Sequence, residues 1–70
     1  MDASKTGALE AMVRALKVLK QAKKQGVDVK PYRRRMKEAI RLFEAGDYRG
    51  LIVRMEQIVA EVTGSPQPLG

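Results

Sequence analysis

Residues 37–52 read "KEAIRLFEAGDYRGLI", and the fold turns on the Gly46-Asp47 pair in the middle. Upstream of it, Tyr32, Met36, Ala39, Ile40 and Phe43 recur at helical spacing, with Leu42 on the flank. Downstream, Tyr48, Leu51, Ile52, Met55, Ile58, Val59 and Val62 do the same, with the cleanest 3.6-residue period in the chain. Glycine takes a positive φ at little steric cost and so ends a helix. Aspartate accepts a hydrogen bond from the next helix's free N–H groups and so begins one. With so little chain between them, the two helices must fold back on each other as an αα-hairpin.

The same reasoning runs outward to the N-terminus. "QGVDVKP", residues 25–31, is a helix stop, a short connection and a helix start. Gly26 ends the first helix, and Val27 and Val29 are placed to tuck against the core with Asp28 outside. Pro31 suits a first helical position, where its missing N–H leaves nothing unpaired. Helix 1 is expected over residues 7–25 with Thr6 as its N-cap, helix 2 over 31–45 and helix 3 over 48–62. In helix 1, Leu9, Met12, Leu16 and Leu19 form one stripe, widened by Val13, and are assigned to the core. Ala8, Ala15 and Ala22 recur at sevens along its edge, where small side chains permit close approach of another helix. Residues 1–6 read as a frayed N-terminus, 7–63 as the domain, and 64–70, "GSPQPLG", as a flexible tail. The fold class is therefore an all-α three-helix bundle with a tight hairpin between helices 2 and 3.

A local resemblance supports that hairpin. "AKKQGVDV", "KEAIRLFEAGDY" and the "AGDYRGLI" turn resemble the helical hairpins of tetratricopeptide-like repeats, whose two helices meet at a Gly-Asp-Tyr-type turn. That family usually places alanine three residues after the tyrosine; here Leu51 stands there, preceded by Gly50, and Ile58 replaces a second alanine. No second copy follows at the family's period of about 34 residues. The resemblance implies the hairpin and not a tandem array.

Composition limits the chemistry. Seventy residues without cysteine or histidine have no disulfide, no thiolate and none of the commonest metal ligand or neutral-pH base. The carboxylates Glu10, Glu38, Glu44, Glu56 and Glu61 fall on outer faces or beside Lys and Arg, with no pair set apart for acid–base work. The glycines show no phosphate-loop spacing. No catalytic residue, metal or cofactor site is expected, and the chain reads as a non-enzyme. A chain this short buries only about 60% of its unfolded surface, so helix packing or self-association must supplement its stability. No apolar run is long enough to span a membrane, and the N-terminus lacks the features of a signal peptide, which leaves a cytoplasmic location as the expectation.

The charge balance favours anionic partners: 14 Lys plus Arg face 8 Asp plus Glu, a net +6. Arg33, Arg34 and Arg35 span about 300° of a helix and cannot all face one groove. Arg34, Lys37 and Arg41 do share a face, with Lys30 nearby, and these four are the candidate contacts to phosphate. Arg14, Lys17 and Lys24 make a second basic strip. A helix-turn-helix reading is weaker, since the outer face of helix 3 offers Arg49, Val53, Arg54, Gln57 and Glu61 in place of a base-reading front. The apolar surplus points to assembly instead. Ala11 and Val18 lie outside the main stripe of helix 1, and Val53 outside that of helix 3. With Gly50, which is either tolerated in the first turn of helix 3 or admits close backbone approach, they are the candidate assembly contacts. The favoured role is a protein–protein interaction or oligomerisation module, with a homodimer through helix 1 as the preferred arrangement. A small basic nucleic-acid-binding protein is the alternative.

Overall fold

The computed structural model describes residues 3–64. Its three helices are α1 (Lys5–Lys24), α2 (Lys30–Glu44) and α3 (Tyr48–Thr63). Two glycines close the first two helices in the same way. Gly46 has φ +81°, its N–H donates to the Phe43 carbonyl at 3.0 Å, and the Asp47 N–H donates to the Leu42 carbonyl at 2.8 Å. At Gly26, with φ +91°, the corresponding bonds are Gly26 N–H to Lys23 and Val27 N–H to Ala22, both 3.0 Å. Each pair satisfies two carbonyls that a helix end would leave unpaired.

The N-termini of α1 and α3 are capped by side chains. Asp47 Oδ1 accepts from the Gly50 N–H at 3.0 Å, as its position predicts. For α1 the cap is Ser4 and not Thr6: Ser4 Oγ accepts from the Gly7 N–H at 3.1 Å. The helix therefore starts two residues earlier than expected and takes in Lys5 and Thr6. Asp28 Oδ1 accepts from the Lys30 N–H at 3.1 Å, which ties down the start of α2 beside Pro31. Of the expected tail at 64–70, Gly64 is the left-handed C-cap of α3 with φ +63°, and 65–70 lie outside the described residues.

The bundle is organised around α3, whose apolar face packs on both α1 and α2, while α1 and α2 touch only at their margins. Leu51, Ile52, Met55 and Ile58 are buried, as the periodicity predicts. From α2 come Met36 and Ala39, with Val29 from the preceding turn, and Tyr32, Leu42 and Phe43 pack on the rim. The Phe43 and Tyr48 rings meet edge-on at 5.5 Å across the Gly46 turn and clasp the hairpin. Among the described residues no polar or charged side chain is buried, so burial of apolar surface is the main force holding the fold.

Helix α1 departs from the expected face. Its core side is Ala8, Ala11, Ala15, Leu19 and Ala22, with Met12 and Val18 partly buried. Leu9, Val13 and Leu16 are turned outward, 45%, 50% and 52% exposed. The apolar arc of α1 covers well over half its circumference, and α3 selects the small-residue part of it. Leu51, Ile52, Met55 and Ile58 already fill the contact with bulk, so alanines opposite them let the helices come together without voids. Two smaller departures follow from local geometry. Val27 follows the Gly26 turn and is exposed where Val29 is buried, and Ile40 lies at the outer margin of the α2 face, 40% exposed.

Candidate functional site

Two features of the surface are built by this choice of face. The first is the outer ridge of α1. Leu9, Val13 and Leu16 are spaced by four and three residues and so stack along one side of the helix. Thr6, Glu10, Arg14 and Lys17 border Leu9 and Val13 around a shallow hollow of about 400 Å³. On α2, Ile40 lies seven residues on from Arg33 on the same face and is 40% exposed. α1 and α2 run antiparallel here: Lys5 Nζ lies 5.9 Å from the centre of the Phe43 ring at one end, and Arg33 borders the C-terminal lysines of α1 at the other.

The second feature is that C-terminal end. Lys20, Lys23 and Lys24 of α1 and Arg33 of α2 surround Leu16 in an open hollow of about 640 Å³. No acidic side chain lines it. Lys23 and Lys24 also sit at the negative end of the α1 dipole, which favours cations there.

The residues singled out in the sequence are distributed as follows. Lys30, Arg34, Lys37 and Arg41 are all exposed along one side of α2. Arg33, on the flank of that side, connects it to the α1 lysines. Arg14 and Lys17 border the other hollow, beside Glu10, so the expected strip of Arg14, Lys17 and Lys24 is divided between the two. Arg34 and Glu38 make no ion pair. Among the described residues the ion pair that forms is Arg35–Glu61, two-pronged at 2.8 and 3.0 Å, joining α2 to α3. This hydrogen bonding holds the Glu61 carboxyl below its ordinary range and pushes the Arg35 guanidinium up. Arg35 also lies 5.9 Å from the centre of the Tyr32 ring. It is thus a strut between helices.

Of the four candidate assembly contacts, Ala11 is 4% exposed in the monomer core and is not available to a second chain. Val18 is half-buried beside it, and Val53 stands alone on the wet side of α3, 45% exposed. Gly50 has a local explanation. A Cβ there would meet the Asp47 capping carboxylate, with Cγ at 2.8 Å and Oδ1 at 3.0 Å, and its three nearest neighbours would all be atoms of that group. The residues that make the exposed apolar strip, Leu9, Val13 and Leu16, are ones the periodicity had placed inside. Their signal was present as an apolar arc wider than one neighbouring helix covers.

No helix of the described residues is long and apolar enough to cross a membrane. No protein-family model matches the chain, and comparisons with curated proteins and with solved structures return no match.

Proposed function

We propose that this chain is a non-catalytic assembly module that associates with a second copy of itself through the outer ridge of α1. One observation carries the reading: α1 puts its alanines into the core and leaves Leu9, Val13 and Leu16 about half exposed on a single ridge. Scattered exposed apolar residues are ordinary, whereas the largest contiguous apolar patch of a small protein is often functional.

Three half-exposed apolar side chains fall short of the ~800 Å² each partner gives a standard interface. The association is accordingly weak and concentration-dependent. Sedimentation over a concentration series tests it. The expected result is a monomer–dimer equilibrium that persists at high salt, as apolar contacts do, and that Val13→Glu abolishes without loss of helicity. A monomer at every concentration, or a dimer indifferent to Val13→Glu, refutes the reading.

A second reading is favoured by the basic belt from Lys20, Lys23 and Lys24 through Arg33 to Lys30, Arg34 and Lys37. This belt suits the phosphates of a nucleic acid, without sequence preference. Phosphate contacts release counterions, so binding of a short duplex on this route falls steeply with salt. Retention of the duplex at high salt, or no binding at low salt, counts against it.

A further inference from the structure

The ridge carries a charge pattern that specifies how a second copy would lie on it. Leu9, Val13, Leu16 and Lys20 alternate by four, three and four residues, the spacing of a two-helix seam. Glu10 and Lys17 immediately follow the two leucines, seven residues apart, and occupy equivalent positions on the same edge of that seam. Both border the hollow beside Val13. One edge thus carries a negative charge toward the N-terminus and a positive charge toward the C-terminus.

Resting on the assembly reading above, we propose that two copies pair ridge to ridge in antiparallel fashion about a two-fold axis near residues 14 and 15 of α1. Val13 of each copy then faces Leu16 of the other, and Glu10 of each lies beside Lys17 of the other. In an antiparallel pair equal edges of the seam face each other, so an edge that is acidic at one end and basic at the other complements itself. The two-fold makes that contact twice. Lys20 falls opposite Leu9, where its aliphatic stem covers the leucine and its ammonium reaches water.

The parallel alternative fails on charge. It stacks Lys20 on Lys20 and Lys23 on Lys23 along the seam, adding like charge between two chains that are each +6. The antiparallel arrangement sends the hollows bounded by Lys20, Lys23, Lys24 and Arg33 to opposite ends of the dimer, which keeps the two largest concentrations of positive charge farthest apart. It also leaves both open to solvent.

Charge reversal tests the pairing. Glu10→Lys and Lys17→Glu lie on the surface, and circular dichroism verifies that each variant retains its helices. Each alone turns two attractive contacts into two repulsive ones and is expected to weaken self-association by about tenfold. The double variant, Glu10→Lys with Lys17→Glu, restores wild-type association. An equimolar mixture of the two single variants forms a heterodimer in preference to either homodimer, because both cross-contacts then join opposite charges. If wild type dimerises and Val13→Glu prevents it, but the mixture shows no such preference or the double variant is not restored, the antiparallel pairing is wrong and the ridge reading stands. If wild type does not dimerise at all, both fall.

Discussion

Leu16 and Leu19 stand three residues apart on α1, and truncating each of them decides which side of that helix is the core. Leu19 is 1% exposed and Leu16 is 52% exposed. Leu19→Ala removes about three buried carbon groups at roughly 0.8 kcal/mol each and leaves a cavity beside α3, for a cost of about 3 kcal/mol. Leu16 has half its surface in water already and leaves no closed cavity, so Leu16→Ala costs about 1 kcal/mol or less. The converse substitution sharpens the contrast. Ala15 is 0% exposed, so Ala15→Leu forces a bulky side chain into the contact and costs about 1–3 kcal/mol or more.

A domain of this size has a total stability of roughly 3.5–10 kcal/mol, so Leu19→Ala removes about 30% of it or more. Urea denaturation followed by circular dichroism, at a protein concentration low enough to keep the chain monomeric, reads these differences. With a slope near 1 kcal/mol per molar urea, Leu19→Ala lowers the midpoint by about 3 M and Leu16→Ala by about 1 M or less. Equal losses at Leu16 and Leu19, or an Ala15→Leu variant as stable as wild type, would show that the leucine stripe is the buried face. The ridge and everything proposed for it would then be lost.

Two further outcomes follow from the caps and the ion pair. Asp47→Ala costs about 1 kcal/mol by removing the α3 cap, and Gly50→Ala gains about 1 kcal/mol of helix propensity in that background. In the wild-type background the gain from Gly50→Ala is smaller, since the new Cβ meets the Asp47 carboxylate; strictly additive effects in a double-mutant cycle contradict this coupling. Glu61, held below its ordinary range by Arg35, contributes stability above its unfolded pKa, and that contribution is lost as pH falls through the depressed folded value. Glu61→Gln is therefore slightly less stable than wild type at neutral pH and its equal once the carboxyl is protonated. A melting-temperature difference that persists unchanged into strong acid rules this out.

Much of the architecture is legible in the sequence because its signals are local. Gly26 and Gly46 announce positive φ, Asp47 and Pro31 announce helix starts, and α3 has one apolar face narrow enough to leave a single choice of orientation. Features that depend on distant residues are not legible in this way. Arg35 finds Glu61 across 26 positions, and nothing near Arg35 in the sequence points to that partner. Ser4 and Thr6 are both capping residue types, serine the stronger of the two. Geometry decides between them when the Gly7 N–H comes within reach of Ser4 Oγ.

The α1 face is the informative case. Ranking positions by hydrophobicity puts the leucines inside, because each buried leucine removes more apolar surface from water than an alanine does. That ranking treats the helix as facing an unstructured oil, whereas it faces α3, and α3 arrives with Leu51, Ile52, Met55 and Ile58 already projecting. Against a surface with that relief, alanine at 8, 11, 15 and 22 brings many atoms into contact at once, and Leu19 fills the space that remains. The transfer energy forgone at Leu9, Val13 and Leu16 is then left on the outside of the molecule. A small domain with little stability to spare is expected to recover such a quantity wherever it can, and burial against a second chain recovers it. The alanine stripe seen at intervals of seven and the proposed assembly ridge are thus consequences of one packing decision on opposite sides of α1.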